Sequence, residues 1–159
     1  MALSAVNHFG FAVADIERSV RFYSALLEAR PYFRERYDVP YVGRMVGYPG
    51  AIQEAAFFHL PGEPDLFLEL IEYVVPPAET VPMEAYNAGN AHLCLASEDL
   101  DAEYERLRGI EGISFRSDGP VTSDYGVYSG ARGLFLRDPD EITIQLVEIP
   151  PGVDPAGRG

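Results

Sequence analysis

Asn7-His8-Phe9-Gly10-Phe11-Ala12 and Asn90-Ala91-His92-Leu93-Cys94-Leu95-Ala96 are two short strand-like stretches, each with a histidine near its start. Each is followed, late in its half of the chain, by an apolar strand with one polar side chain in its middle. These are Leu66-Phe67-Leu68-Glu69-Leu70-Ile71-Glu72 and Ile142-Thr143-Ile144-Gln145-Leu146-Val147-Glu148. His8 and His92 lie 92 − 8 = 84 residues apart, and Glu69 and Gln145 lie 145 − 69 = 76 apart. Offsets this close mark a duplicated supersecondary unit, the second being shorter because the loop of the first half is longer. One copy presents His and Glu and the other His and Gln, four side chains that together can form a metal shell.

The segments between these strands repeat as well. Asp15 stands where a helix N-cap belongs, and Ile16, Val20, Tyr23 and Leu27 recur at helical spacing, which predicts a helix with one face on a sheet. Pro31 ends it, and a strand with Tyr32 and Phe33 follows. A long loop carrying Pro40, Gly43, Gly47, Pro49 and Gly50 comes next. Two further strands, over 53–60 and 66–74, flank a turn at Pro61-Gly62-Glu63-Pro64-Asp65 and complete a βαβββ unit. Pro76, Pro77 and Pro82 make a stiff connector, so the expected division is a first module over 1–76, a linker over 77–87 and a second module over 88–150. A Gly- and Pro-rich tail over 151–159 reads as flexible.

In the second module the offset of 84 holds, with Asp99 matching Asp15 and Leu100 matching Ile16. Leu100, Tyr104 and Leu107 give the helix face, closed by Gly109 and Gly112. A short strand near Ile113–Phe115 precedes a loop over 118–130 rich in Gly, Ser and Tyr. Strands over 134–137 and 142–148 then turn at Asp138-Pro139-Asp140-Glu141.

Composition narrows the chemistry. A chain of 159 residues, 47% hydrophobic, can bury a substantial core without disulfides. Its net charge of −13 opposes binding to nucleic acid or an anionic membrane surface. All 12 basic residues are arginine, which excludes a Schiff-base lysine and a phosphate-loop lysine. The lone Cys94 permits no internal disulfide and, with no signal-peptide pattern and no long apolar run, the expected location is the cytoplasm.

Glu69 is the anomaly of its strand. A carboxylate amid apolar neighbours carries a large desolvation cost unless it is paired, hydrogen-bonded or bound to a cation. Phe67, Glu69 and Ile71 share one strand face, as do Thr143, Gln145 and Val147 in the other module. A mixed shell of His8, Glu69, His92 and Gln145 leaves positions open for a ligand, unlike a closed structural site. His59 has the opposite strand register to a ligand, with no partner. Cys94 shares the parity of His92 and lines the same face as a packing residue. Phe33, Tyr37, Tyr41, Tyr48, Tyr125 and Tyr128 lie in or near the two long loops, and Tyr41, Tyr48, Tyr125 and Tyr128 with Cys94 are the expected substrate-pocket residues. Arg44 and Arg132 are the nearest loop candidates for an anionic group, with surface solvation as their ordinary role.

The segments Asn7-His8-Phe9, Leu68-Glu69-Leu70, Ala91-His92-Leu93 and Asp138-Pro139-Asp140 through Ile144-Gln145-Leu146 resemble the motifs of the vicinal-oxygen-chelate superfamily. That superfamily includes glyoxalase I, methylmalonyl-CoA epimerase, extradiol dioxygenases, fosfomycin-modifying enzymes and bleomycin-resistance proteins. The resemblance runs over roughly residues 4 to 149. It implies an α+β fold in which two βαβββ modules form a cupped, half-barrel mixed sheet around one divalent metal ion (Zn, Ni, Mn, Fe or Co). It further implies a homodimer, with His8, Glu69, His92 and Gln145 as ligands. Where the isomerases of the family most often carry Glu, this chain has Gln145, which cannot accept a proton at neutral pH. Glu69 is then the ligand able to act as catalytic base.

Three functions compete. The first is a metal-dependent isomerase, epimerase or lyase acting on a small carbonyl compound that chelates the metal through two oxygens. The second is a protein that sequesters an aromatic or antibiotic-like ligand, as bleomycin-resistance proteins do. The third is a small dioxygenase using His8, His92 and Glu69 on iron. Retention of all four ligand positions favours the enzyme.

Overall fold

The computed structural model describes residues 3–153; the expected tail lies outside the described residues from 154 onward. The chain divides into two compact units, one ending at Val81 and the other beginning at Pro82. In the first, β1 (His8–Val13), α1 (Ile16–Leu26), β2 (Phe33–Tyr37), α2 (Pro40–Val46), β3 (Ile52–Leu60) and β4 (Glu63–Val75) follow one another. Their sheet runs β1-β4-β3-β2, with β1 parallel to β4 and the other pairs antiparallel. In the second, β5 (His92–Ala96), α3 (Leu100–Leu107), β6 (Ser114–Phe115), β7 (Val121–Thr122), β8 (Arg132–Arg137) and β9 (Thr143–Glu148) follow. That sheet runs β5-β9-β8-β6, with β7 paired to β8 and β5 parallel to β9. The class is α+β with two mixed sheets. Among the described residues, no helix is long and apolar enough to cross a membrane.

Both long helices start as their sequences dictate. Asp15 accepts from the backbone N–H of Arg18 at 2.9 Å and Asp99 from that of Ala102 at 3.0 Å, each satisfying one free donor of a first turn. The buried stripe of α1 is Ile16, Ser19, Phe22, Tyr23 and Leu26, one position away from the expected Val20 and Leu27, which are half-buried. Ser19 is small enough to let the helix rest close to β3 and β4, and Phe22 and Tyr23, at 2% and 0% exposure, carry the contact. Leu68, Leu70, Ala56 and Phe58 meet them from the sheet. The second module repeats the arrangement with Leu100 and Leu107 of α3 over Leu134, Leu136, Ile144 and Leu146.

Period-2 alternation therefore commits the even-numbered residues of β3, β4, β8 and β9 to the helix side, and the odd-numbered ones to the other face. On that other face of the first sheet, four rows cross the strands. Register places His59, Phe67 and His8 in one row, Phe33, Phe57, Glu69 and Gly10 in the next, Glu35, Ala55, Ile71 and Ala12 in the third, and Tyr37, Gln53 and Tyr73 in the fourth.

Several elements differ from expectation. Residues 40–46 form α2 rather than loop, with Pro40 at its first turn, where a missing N–H costs nothing. Gly43 lets that helix close on its own exit: a Cβ there would lie 2.8 Å from the Tyr48 carbonyl oxygen. The β3–β4 turn is shorter than expected, because β4 already begins at Glu63 behind Gly62 at φ +77°. The loop over 118–130 contains β7 and a 3-10 turn at Gly126–Tyr128, and β8 starts at Arg132 rather than Leu134.

Candidate metal and substrate site

Parallel pairing of β1 with β4 sets Gly10 opposite Glu69, so His8, two residues earlier, is the diagonal neighbour of that carboxylate on one face. His8 Nε2 lies 3.4 Å from Glu69 Oε2. The other ring nitrogen, Nδ1, is 2.8 Å from Asn7 Oδ1. An amide oxygen only accepts, so this contact assigns the proton to Nδ1 and leaves a lone pair on Nε2 in the neutral ring. Two lone-pair atoms 3.4 Å apart repel unless a proton or a cation joins them. Phe67 stacks on the imidazole at 5.1 Å and fixes its plane. A Cβ at position 10 would stand 3.8 Å from Oε2, an ordinary contact, so the space beside the carboxylate does not depend on glycine there.

Burial pushes the Glu69 carboxyl above its ordinary 4.5, opposed by the charge of His8. A carboxylate so placed is a stronger base than one in water. Tyr37, reaching over the same face from β2, has its phenol raised by burial and then by the charge of Glu69. Position 59 corrects the sequence reading. Register sets His59 opposite Phe67, on the face of His8 and Glu69, and its ring stacks on Tyr32 at 4.1 Å. The short turn at Gly62 and a register shift at His59/Leu60 decide this, and neither is visible in alternation alone. Tyr32, Phe33, Phe57 and Phe67 form a run of ring contacts beside the His8–Glu69 pair.

The second module repeats the register: Cys94 is opposite Gln145 and His92 opposite Thr143, as Gly10 and His8 are placed against Glu69 and Phe67. His92 is exposed and meets Phe135 edge-on at 5.5 Å. Gln145 lines a cavity of about 510 Å³ together with Val121, Tyr128, Phe135, Val147 and Ile149. Cys94 is exposed and is not part of that lining. Of the four tyrosines expected at the pocket, only Tyr128 lines it. Tyr41 reaches back along α2 to Met45 Sδ at 3.1 Å, Tyr48 meets Tyr73 edge-on at 6.4 Å, and Tyr125 is 87% exposed. Arg132 lines the cavity from β8, but its guanidinium is engaged by Asp101 at 2.6 Å and Glu148 at 3.5 Å. Arg44 lies in the last turn of α2 rather than in a loop.

Among the described residues, neither module by itself gathers three His, Cys, Asp or Glu side chains into a metal-holding group. The donor chemistry nonetheless fits a divalent ion that takes nitrogen and oxygen ligands. The first module sets an imidazole nitrogen against a carboxylate, and the second carries an imidazole and a carboxamide at the repeated positions.

Residues 5–146 match the family model of the Glyoxalase/Bleomycin resistance protein/Dioxygenase superfamily. The chain belongs to this superfamily. A curated 2-epi-5-epi-valiolone epimerase from an Actinomyces species is 27% identical over 150 residues, covering 93% of this chain and 81% of that protein. A glyoxalase family protein from Bacillus cereus has the same fold with a TM-score of 0.77 at 20% identity, over 94% of this chain and 98% of that one. The fosfomycin resistance protein FosX from Listeria monocytogenes, solved with Mn(II) and sulfate, shares the fold with a TM-score of 0.58 at 13% identity, over 95% and 97% of the two chains. Superfamily membership accounts for the duplicated register without requiring the two modules to carry identical side chains. Position 69 is Glu where its counterpart 145 is Gln, and position 10 is Gly where its counterpart 94 is Cys.

Proposed function

We propose that this chain is a metal-dependent epimerase acting on a ketone that offers two neighbouring oxygens to the metal, with a shell of His8, Glu69, His92 and Gln145. The shell takes two ligands from each module, either of one chain or of two copies in a homodimer. One observation carries the reading: Nε2 of the His8 imidazole faces the Glu69 carboxylate at 3.4 Å, with Asn7 holding the other ring nitrogen. Similarity to the Actinomyces epimerase supports the reaction type, and the Mn(II) of FosX supports the need for a divalent ion.

When bound, the ion supplies Lewis-acid polarisation of the carbonyl, which acidifies the neighbouring C–H. Glu69 takes that proton on a carboxylate oxygen, helped by the upward shift that burial gives its carboxyl. The carbon becomes planar as its electron pair moves toward the carbonyl oxygen, a proton from solvent on the opposite face inverts the centre, and Glu69 gives up its own proton to solvent. Gln145 is neutral and serves only as a donor atom. Asn7 keeps His8 in the tautomer that ligation requires, and Phe67 keeps it in plane. The aromatic run Tyr32, Phe33, Phe57 and Phe67 bounds the reacting carbon with apolar surface.

The test measures metal content and exchange of the substrate's α-hydrogen with D₂O, with 2-epi-5-epi-valiolone as the first ketone. About one divalent ion per pair of modules and exchange abolished in Glu69→Gln are expected. A protein that takes up none of Mn, Ni, Zn, Co or Fe overturns the reading.

A second reading has its own support. The cavity beside Gln145 is lined largely by apolar side chains and is large enough for an aromatic ring system. Sequestration of a flat ligand would show as metal-independent thermal stabilisation by aromatic compounds.

A further inference from the structure

Gln53 sits in the fourth row of the first module's ligand-bearing face, directly between Tyr37 of β2 and Tyr73 of β4. It is 6% exposed, and its Nε2 has no hydrogen-bond partner among the described residues. A buried carboxamide left unpaired carries an uncompensated desolvation cost in folding, so its presence on this sheet points to a partner from outside the chain. Its row lies four residues along β4 from Glu69, about 13 Å at the rise of an extended strand. Tyr37 links the two rows, standing beside Gln53 and within the electrostatic reach of Glu69.

We infer that Gln53, flanked by Tyr37 and Tyr73, is a polar subsite for an oxygen of the substrate distant from the reacting carbon, and that the substrate is a neutral polyhydroxylated ketone. The inference rests on the epimerase reading of the same face and extends it to substrate class. The charge pattern selects neutrality. Glu35 and Glu69 are the charged residues beside His8 and His59 in these rows, and both repel a phosphate or carboxylate tail. The arginines of β2 are on the other side, Arg34 bonded to Glu17 and Arg36 bonded to Glu54 at 2.6 Å. An amide flanked by two phenols offers donors and acceptors without net charge, which matches hydroxyl groups. A phosphorylated or acyl-CoA substrate would find no cation in these rows.

The side-chain amide signal of Gln53 in ¹⁵N-labelled, Mn-free protein, assigned by its disappearance in Gln53→Met, reports the subsite directly. D-fructose, its phosphorylated form and hydroxyacetone are the probes, the last being too short to reach from Glu69 to row four. A saturable shift with D-fructose, none with hydroxyacetone, and a weaker response to the phosphorylated sugar are expected. Gln53→Met should lower D-fructose affinity about tenfold, the effect of losing one hydrogen bond of ordinary net strength. It should also raise the melting midpoint, because an unpaired amide has been removed. An unmoved Gln53 signal in the presence of D-fructose, or a stronger response to the phosphorylated sugar, overturns the subsite. A lower midpoint with unchanged affinity does the same. Failure of the epimerase reading is separate: it shows as absent metal uptake or absent α-exchange, whether or not the Gln53 signal moves.

Discussion

Glu72 Oε2 accepts a hydrogen bond from the backbone N–H of Ile16 at 2.8 Å, tying the strand that carries Glu69 to the first turn of the helix behind it. The second module makes the same tie, from Glu148 to the N–H of Leu100 at 2.8 Å. Each carboxylate joins an Asp cap at a helix N-terminus, where the unpaired N–H groups and the helix dipole favour negative charge. The alternation explains the division of labour in Leu68-Glu69-Leu70-Ile71-Glu72: Glu72 points to the helix, and Glu69, three residues earlier, to the opposite face, with His8.

Glu72→Ala should destabilise the first module by about 1–2 kcal/mol, the usual worth of a capping carboxylate with a charge-assisted bond. Glu148→Ala should cost a similar amount and also loosen Arg132, which lies 3.5 Å from that carboxylate. Denaturant melts of both variants check this, and equal stability to the parent would show the ties to be idle.

Asn7→Ala should weaken divalent-metal affinity about tenfold, the lower end of what outer-shell partners of a ligating histidine contribute. Its melting midpoint without metal should stay close to the parent's, because the Asn7–His8 contact is exposed. Competition against a metal-sensitive dye separates the two effects; undiminished affinity would remove Asn7 from the positioning role.

Gly43→Ala sets two effects against each other. Alanine favours a helix interior by about 1 kcal/mol over glycine. The new Cβ, however, would stand 2.8 Å from the Tyr48 carbonyl oxygen and 3.0 Å from the Gly50 nitrogen, both backbone atoms that cannot rotate away. Overpacking costs about 1–3 kcal/mol, so net destabilisation is expected, with altered near-ultraviolet circular dichroism from the tyrosines next to the exit of α2. A stabilised variant would mean that this exit yields.

Acid sensitivity has an assignable part. The hydrogen bond from Arg132 holds the Asp101 carboxyl below its ordinary 3.8. A carboxyl with a lowered folded-state pKa adds stability that is present above its unfolded value, and that is lost as pH falls through the lower folded value. Asp101→Asn should flatten stability against pH below about 4 and change little at neutral pH, where an exposed pair is screened by solvent. Urea midpoints between pH 2 and pH 7 measure it.

The sequence by itself determined the duplication, most of the helices and strands, and the repeated positions of His8, Glu69, His92 and Gln145. Offsets of 84 and 76, two Asp caps and a polar residue midway along an apolar strand are local signals, written in neighbouring residues. It also assigned Glu69 to a face, because period 2 along one strand needs no partner strand. What only the tertiary structure decided were the relations between strands. Alternation tells which residues of β3 share a face but not which face of the sheet that is, and the short turn at Gly62 with its register shift placed Gln53, Phe57 and His59 on the face of Glu69. The surroundings of the tyrosines were likewise decided by tertiary structure. Tyr41, on a helix turn where a loop was expected, bonds Met45, while Tyr37, on a strand, reaches the carboxylate's neighbourhood. Periodicity along a chain is set by backbone sterics within a few residues, whereas register is set by loop closure and packing between segments far apart in sequence.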